Sequence, residues 1–461
     1  MLRSLPLLLA SALLAGCATH NAAPVDLPAP PDAWRHAQTD ASAPANDWWR
    51  AFASSELDAL VSRALAANHD LAGAAARLRQ AEASARAAGA PLLPRLDGNL
   101  GASREGRLGG HGDGAGNAYT AGLLASYEVD LWGRLGAGRD AAQATLQASR
   151  FDRDALRLSL TATLVDTWLQ QVALAERLRL ADLNLNNARR LLSTVEARYA
   201  AGAATPLELA QQRGLLAEQQ RNRAALRQQA DDLRSSLAVL LGEAQPAAPT
   251  ASALSALLAP QLAPGLPSAL LLRRPDLASA EAQLNAAEAD LRAARAALLP
   301  RLDLSAGAGG NAASLSRVLA DPLYSLGAAL TAPIFDGGAL AAERERSAAR
   351  REELLASYRQ RVVEAFADVQ VALNAGSGAE AQWQAQQQVQ AQARRALQLA
   401  EERYQAGADD LLNLLDAQRT LYAAEDQSAQ LHLARLQSGV ALARALGGGW
   451  QATEAEPAGK P

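Results

Sequence analysis

Few side chains in this chain have the types and spacing that catalysis or metal binding requires. The serines, histidines and acids form no nucleophile motif. The five histidines are scattered without the spacing of metal ligands: His20, His36, His69, His111 and His432. Because Cys17 is the only cysteine, no disulfide can form within the chain. We therefore predict that the protein is not an enzyme and holds no metal or other cofactor.

The chemistry that the sequence does support is covalent modification of Cys17. Arg3 provides a basic start, residues 5–14 form a short apolar core, and small residues lead up to Cys17. The apolar core is far shorter than the roughly 20 residues of a transmembrane helix, so residues 1–16 are predicted to be a signal peptide that is removed on export. Cys17 then becomes the first mature residue and carries diacylglycerol and palmitate. An ordinary signal peptide with an incidental cysteine is the alternative.

The residue after the cysteine and the overall charge indicate where the chain resides. Ala18 stands where such lipoproteins carry an aspartate for retention in the inner membrane, so the outer membrane of a Gram-negative bacterium is the expected address. The formal net charge of −4 argues against nucleic acid as a partner, because nucleic acid requires a basic face. Outer-membrane lipid is therefore an expected partner.

The elements that must position any functional residue occur twice in the chain. Residues 70–97 and 276–303 align without a gap, with 19 of 28 positions identical. The correspondence continues through pairs that lie 205 residues apart, such as Tyr119 and Tyr324, and Gly202 and Gly407. Each copy consists of a helix, two strands, a very long helix, a turn and a long helix. Because such a unit cannot bury its own faces, we expect the function to lie in an assembly rather than in a pocket.

Each copy also predicts a long helical hairpin. Residues 133–199 contain no proline, and apolar residues recur there at alternating spacings of three and four: Leu178, Ala181, Leu185, Ala188, Leu192, Val195 and Tyr199. At 1.5 Å per residue, this helix would be about 100 Å long. It turns at Gly202 and returns to Gly242, and the second copy does the same over 338–447. Taken alone, these helices would also fit a solvated coiled-coil rod.

The residues between the helices alternate between apolar and polar side chains. In 119–131 the odd positions are apolar, and the even positions are small or polar apart from Leu124. Three further segments show the same alternation: 95–103, 301–308 and 324–334. Each is about 10 residues long, the length of a tilted strand in a membrane barrel. We therefore predict two membrane β-hairpins, at about 92–131 and 300–335.

Four strands cannot close into a barrel alone, and open sheet edges are not tolerated in hydrocarbon. Several copies must therefore pool their strands. Two copies give eight strands, whose interior is filled by side chains, whereas three give twelve strands and room for a lumen. Aromatic residues near the strand ends are predicted to lie at the membrane interfaces, with packing against helices as the alternative: Tyr119, Tyr127, Trp132, Tyr324 and Phe335.

Short motifs along the chain resemble those of one family. They are Trp48-Trp49, LPRLD before each hairpin, EVDLWGR at 128–134, RYAAG at 198–202, LPSALLLRRPDL at 266–277, APIFDGG at 332–338, and RYQAG and LLDAQR within 403–419. In this order, and with the cysteine after the signal peptide, they resemble the outer membrane efflux proteins, the TolC-like family. The nearest branch is the lipoprotein one that includes NodT and OprM. The resemblance covers nearly the whole mature chain.

The resemblance implies a mainly α-helical homotrimer with a membrane β part. Four strands per chain would form a shared twelve-stranded barrel, and the long antiparallel helices would form an α-helical periplasmic tunnel. The expected organisation is, in order, 1–16 (signal peptide), 17–56 (N-terminal equatorial segment), 57–243 (first repeat), 244–275 (proline-rich equatorial linker), 276–448 (second repeat) and 449–461 (C-terminal tail).

The resemblance also implies a function, that of the outer-membrane channel in a tripartite efflux system. Such a channel works with a periplasmic adaptor and an inner-membrane pump, usually of the resistance-nodulation-division class, and the pump supplies the energy. The cargo would be drugs or other small toxic molecules, with protein secretion as the alternative within this class. A structural coiled-coil lipoprotein is the alternative of a different class, and the amphipathic strands argue against it.

The same resemblance places the two helix turns at the periplasmic tip of the tunnel. Gly202 and Gly407 would lie at turns that the adaptor contacts, with Arg198 and Arg403 just inside them.

Further residues match positions that gate the entrance in the family. Asp416 matches an acidic ring that constricts the entrance, and Leu412 lies one helical turn away on the same face. An ordinary solvated acid is the alternative for Asp416. Glu208 matches a position near the tip that in the family can pair with the tyrosine corresponding to Tyr404, and an ordinary solvated acid is again the alternative. Asp409 stands where some relatives carry a basic gate residue, so we expect no salt-bridge lock at that position.

Overall fold

The computed structural model describes residues 26–37, 44–106, 116–245 and 254–451. Within these ranges the chain forms α1 (Ser55–Ala67), α2 (His69–Gly89), β1 (Arg95–Glu105), β2 (Gly116–Val129), α3 (Arg134–Ala200), α4 (Pro206–Leu241), α5 (Pro275–Ala296), β3 (Arg301–Ala312), β4 (Leu323–Thr331), α6 (Ala339–Gln405) and α7 (Leu411–Ala445). The same order of elements occurs twice, which confirms the predicted fold class and repeat. No helix among the described residues is long and apolar enough to cross a membrane. The predicted signal peptide and Cys17 lie outside the described residues.

The four strands form one antiparallel sheet in the order β1-β2-β3-β4. Leu123 pairs with Gly98 of β1 and with Ala308 of β3, and Ala306 of β3 pairs with Leu326 of β4. Directly paired residues of antiparallel strands point to the same side of a sheet. This register therefore brings the four apolar sets onto one face, and the predicted two-faced hairpins are confirmed.

The strand boundaries agree with the predicted alternation except at the end of β4. β1 begins at Arg95, where the alternation begins, because Pro91 and Pro94 have no backbone N–H to donate to a neighbouring strand. β4 ends at Thr331, two residues before Pro333, for the same reason. Phe335 therefore lies beyond the sheet, in the connection to α6, where its side chain is exposed.

The predicted interfacial aromatics lie near both ends of the sheet. Tyr119 and Tyr324 lie near the starts of β2 and β4, at the end away from the helices. Tyr127 and Trp132 lie at the end next to the helices, where the Trp132 indole donates a hydrogen bond to the Pro300 carbonyl oxygen, 2.7 Å away. These positions fit a pair of interfacial girdles, which remains a prediction.

The helical hairpins follow the predicted seam with one exception. α3 and α6 each contain 67 residues, which corresponds to about 100 Å of helix. Ala181, Leu185, Ala188 and Val195 of α3 are buried, whereas Tyr199 at its end is 43% exposed. The seam thus packs α3 against its neighbours over most of its length but not at the turn.

The largest hydrophobic core lies where the middle of α3 and α6 meets the ends of α4 and α7. Phe52 and Trp48 of the N-terminal segment are buried there together with Trp168 of α3. The Trp34 indole donates a hydrogen bond to the carbonyl oxygen of Gly265, 3.0 Å away, and so joins the N-terminal segment to the proline-rich linker. These segments form a collar on the helices, halfway between the sheet and the turns.

Candidate channel entrance

The end of the molecule opposite the sheet is formed by two helix turns. Gly202 and Gly407 have positive φ angles of 74° and 70°, in the left-handed region that favours glycine. The return helices start with side-chain caps. The hydroxyl oxygen of Thr205 accepts a hydrogen bond from the Glu208 backbone N–H at 3.2 Å, and Asp410 accepts one from the Asn413 N–H at 3.1 Å. Each turn is therefore held by local backbone geometry.

The two hairpins pack against each other near these turns. A small hydrophobic core includes Val195 of α3, Leu215 of α4, Leu397 of α6, and Leu411 and Leu414 of α7. Because all four long helices contribute, the two turns form one structural unit. Any movement of one hairpin relative to the other must break or rearrange this core.

A contact between the repeats lies at the edge of this core. The Arg198 guanidinium lies 4.6 Å from the centre of the Tyr404 ring, and its Nη1 is 3.4 Å from the Tyr404 carbonyl oxygen. Tyr404 is only 3% exposed, and its hydroxyl has no hydrogen-bond partner among the described residues. Burial raises the pKa of Tyr404, Arg198 opposes this effect, and Glu208 adds to it. The tyrosine is thus a neutral anchor between the hairpins.

Glu208 does not make the hydrogen bond to Tyr404 that the resemblance suggested. Its carboxylate instead accepts a hydrogen bond from the Thr205 backbone N–H, 2.6 Å away, and completes a capping box. A free N–H at a helix N-terminus, where the helix dipole favours negative charge, outcompetes a neutral phenol. Glu208 therefore stabilises the start of α4.

Asp409 forms a salt bridge within its own hairpin. The Arg403 Nε donates to the Asp409 carboxylate at 3.1 Å, and the Asn413 amide donates to it at 2.6 Å. The hydrogen bond from Asn413 and the nearby Arg403 lower the pKa of Asp409. Because this acid pairs within its own turn, the salt bridge does not join one hairpin to the other.

Equivalent residues of the two repeats therefore differ in their contacts. Arg198 reaches across to the other hairpin, but Arg403 pairs within its own. Tyr404 is buried, but its counterpart Tyr199 is exposed. The sequence repeat is thus broken at the turns, where the two hairpins take different roles.

Leu412 and Asp416 lie on the same face of α7 and point away from the core. Leu412 is 57% exposed and Asp416 is also exposed, whereas Leu411, Leu414 and Leu415 pack inward. Within the described residues, Asp416 forms no hydrogen bond or ion pair. Both side chains are thus free to meet their counterparts in other copies of the chain.

Two buried glutamines near the entrance were not anticipated from sequence. Gln212 is fully buried and donates a hydrogen bond to the Ala188 carbonyl oxygen at 2.8 Å, and Gln418 is almost fully buried. The amide oxygens of both lack partners among the described residues. Their position was the available signal, because Gln212 lies three residues from Leu209 and Leu215, on the apolar face of α4.

Comparison with known proteins agrees with this architecture. The family model of the outer membrane efflux proteins matches residues 60–243 and 266–448. The pyoverdine export outer membrane protein OpmQ of Pseudomonas putida is 48% identical, over 98% of both chains. The outer membrane protein OprJ of Pseudomonas aeruginosa is 34% identical over 88% of this chain and 86% of its own.

The fold is also that of solved channels. The open state of the MtrE outer membrane channel of Neisseria gonorrhoeae superposes with a TM-score of 0.84 at 28% identity, over 92% of this chain and 98% of MtrE. Members of the family work as trimeric outer-membrane channels with adaptors and inner-membrane pumps. The chain therefore belongs to the outer membrane efflux protein family and is an outer-membrane efflux channel of a tripartite system.

Proposed function

We propose that three copies of this chain form the outlet through which pyoverdine, or a chemically similar secreted compound, leaves the cell. The proposed cargo rests on one observation, the 48% identity to OpmQ over nearly the full length of both chains. Relatives at lower identity bear the names of other systems, such as the CusC cation efflux protein at 31%. Proteins that share this fold therefore export different compounds. The identity to OpmQ, which is higher than that to CusC, favours pyoverdine for this chain.

The unpaired edges of the sheet support the trimer. Among the described residues, β1 and β4 each pair on one side only, so two strand edges remain for neighbouring copies. Three copies give twelve strands and a lumen wide enough for a folded small molecule. An adaptor would contact the turns at Gly202 and Gly407, and a pump of the resistance-nodulation-division class would drive the transport.

Export of pyoverdine tests the proposed cargo. In a pyoverdine-producing strain that lacks its own outlet channel, expression of this chain with its pump and adaptor should move pyoverdine from the periplasm to the medium. Mass spectrometry of both fractions measures the transfer. If an antibiotic is exported but periplasmic pyoverdine does not fall, the channel works and the proposed cargo is wrong. Secretion of a protein substrate instead would support the protein-secretion alternative.

We also propose that Cys17 is lipidated, and we predict that its loss weakens anchoring without abolishing membrane assembly. One lipid anchor gives only modest membrane affinity compared with an inserted sheet. Radioactive palmitate should label the wild type and not Cys17→Ser, while most of the variant should still sediment with outer membranes. A fully soluble periplasmic variant would show that the strands do not hold the protein in the membrane.

A further inference from the structure

A basic groove lies between α2 and α3, close to the sheet. It has a volume of about 600 Å³, and its lining includes Arg86 of α2 and Arg139 and Arg150 of α3, with Glu82 as the acid on its wall. This concentration of positive charge occurs in a chain whose formal net charge is −4. The groove takes no part in the channel entrance, which lies at the other end of the helices.

The arginines of this groove are poorly neutralised. Arg139 contacts Asp140 at 3.0 Å, but Asp140 also contacts Arg292 at 3.4 Å. Across the described ranges, Arg86 and Arg150 form no ion pair or hydrogen bond. The groove therefore carries positive charge that an anionic ligand would neutralise.

Two of these arginines lie near the helix ends that face the sheet. Arg86 precedes the end of α2 by three residues, and Arg139 follows the start of α3 by five, so each lies about 5 to 8 Å from its helix end. A Cβ atom built on Gly89, the last residue of α2, would lie 4.0 Å from Cγ of Arg139, which shows how closely the two helices approach there. In a membrane-inserted sheet, these helix ends would come next after the short connections at 90–94 and 130–133, on the periplasmic side of the bilayer core.

The groove opens toward the outside of the tunnel. Arg139, Arg150 and Arg157 are separated by 11 and 7 residues and therefore share one face of α3. Near Arg157, a second cavity is lined by Arg157 together with Trp48 of the N-terminal segment and Trp450, which follows α7. These two segments lie across the long helices and must be outside the tunnel, because cargo passes through its interior. The arginines on the same face therefore point outward, toward the periplasmic leaflet.

We propose that this groove binds the phosphate group of an anionic phospholipid, such as phosphatidylglycerol, from the periplasmic leaflet of the outer membrane. Arg86 and Arg139 donate hydrogen bonds to the phosphate oxygens, since a guanidinium fork matches that geometry. The acyl chains lie against the apolar face of β1, where Leu96 and Leu100 are exposed. The bound lipid fixes the height of the sheet in the membrane.

The test compares lipid binding by the purified full-length channel in detergent, using native mass spectrometry. The wild type should retain dioleoylphosphatidylglycerol in preference to dioleoylphosphatidylethanolamine. Each basic residue near an anionic surface contributes roughly a fivefold gain in affinity, so Arg86→Gln with Arg139→Gln should weaken phosphatidylglycerol binding about 30-fold. Binding of phosphatidylethanolamine, whose phosphate charge is offset by its own ammonium group, should fall by a smaller factor. If the double variant does not assemble, Arg86→Gln alone serves as the test. This change breaks no ion pair and should weaken phosphatidylglycerol binding about fivefold.

A matched control removes the same charge far from the membrane. Arg221 and Arg227 of α4 are exposed and unpaired within the described residues, so Arg221→Gln with Arg227→Gln should bind lipid as the wild type does. Equal binding of both lipids by the wild type, or unchanged phosphatidylglycerol affinity in Arg86→Gln, would overturn the proposal. So would an equal loss in the control pair, or displacement of the lipid by inorganic phosphate at the same concentration.

Discussion

Arginine in place of Leu123 should prevent assembly of the channel, whereas arginine in place of the adjacent Leu124 should be tolerated. Leu123 lies near the middle of β2 on the apolar face of the sheet, and Leu124 lies at the same depth on the opposite face. A lipid-facing arginine costs about 2 to 4 kcal/mol near the bilayer midplane, and a trimer would carry three of them. The two side chains are otherwise well matched, with exposed fractions of 55% and 46% in the single chain.

Trimers on unheated gels measure this outcome, and membrane-inserted protein is the second readout. The loss of trimer should be confined to Leu123→Arg. Leu330 also lies on the apolar face, but it is one residue from the end of β4, so Leu330→Arg should cost only about 0 to 1 kcal/mol. Equal tolerance of arginine at 123 and 124 would mean that the two faces of the sheet have been assigned the wrong way round.

The side chains on the apolar face of each strand could be predicted, because a single local rule determines which residues lie there. Side chains alternate along a strand with a period of two, and a membrane sheet needs one apolar face, so the odd positions from Tyr119 to Val129 identify that face. Register then follows, since a slip by one residue would place Leu123 opposite Asp97 or Asn99 of β1. The long helices were predictable for a similar reason, as their heptad spacing repeats over many turns.

The contacts at the turns could not be predicted, because they join residues that the sequence does not distinguish. Arg198 and Arg403 occur in the same motif, yet only Arg198 packs on a tyrosine of the other hairpin. That choice depends on how α3 lies beside α6, which is a matter of tertiary packing. Glu208 differs, because its contact is local: the spacing Thr205-x-x-Glu208 is that of a capping box, which the structure contains.

We propose that the exposed face of α7, with Leu412 and Asp416, closes the resting channel. In a threefold assembly every residue is repeated as a ring, so three copies of Asp416 would surround the axis at the narrow end of the tunnel. Their combined negative field would attract cations, and bound cations would offset the repulsion among the carboxylates. Leu412 would add an apolar constriction one turn away. Binding of an adaptor at the turns would then spread the helices.

We therefore expect that Leu412→Ala with Asp416→Ala raises single-channel conductance several-fold, lowers cation selectivity and admits large antibiotics such as vancomycin into cells. The fold should be unaffected, because both side chains are exposed and unpaired in the described chain. Leu207→Ala with Glu218→Ala is the matched control: Leu207 is the counterpart of Leu412 in the first repeat, and Glu218 is an exposed acid on the same helix face. Conductance of purified channels in planar bilayers, in one salt solution, compares the three proteins. If the double variant conducts and selects as the wild type does, Asp416 is an ordinary surface acid and the constriction lies elsewhere in the tunnel.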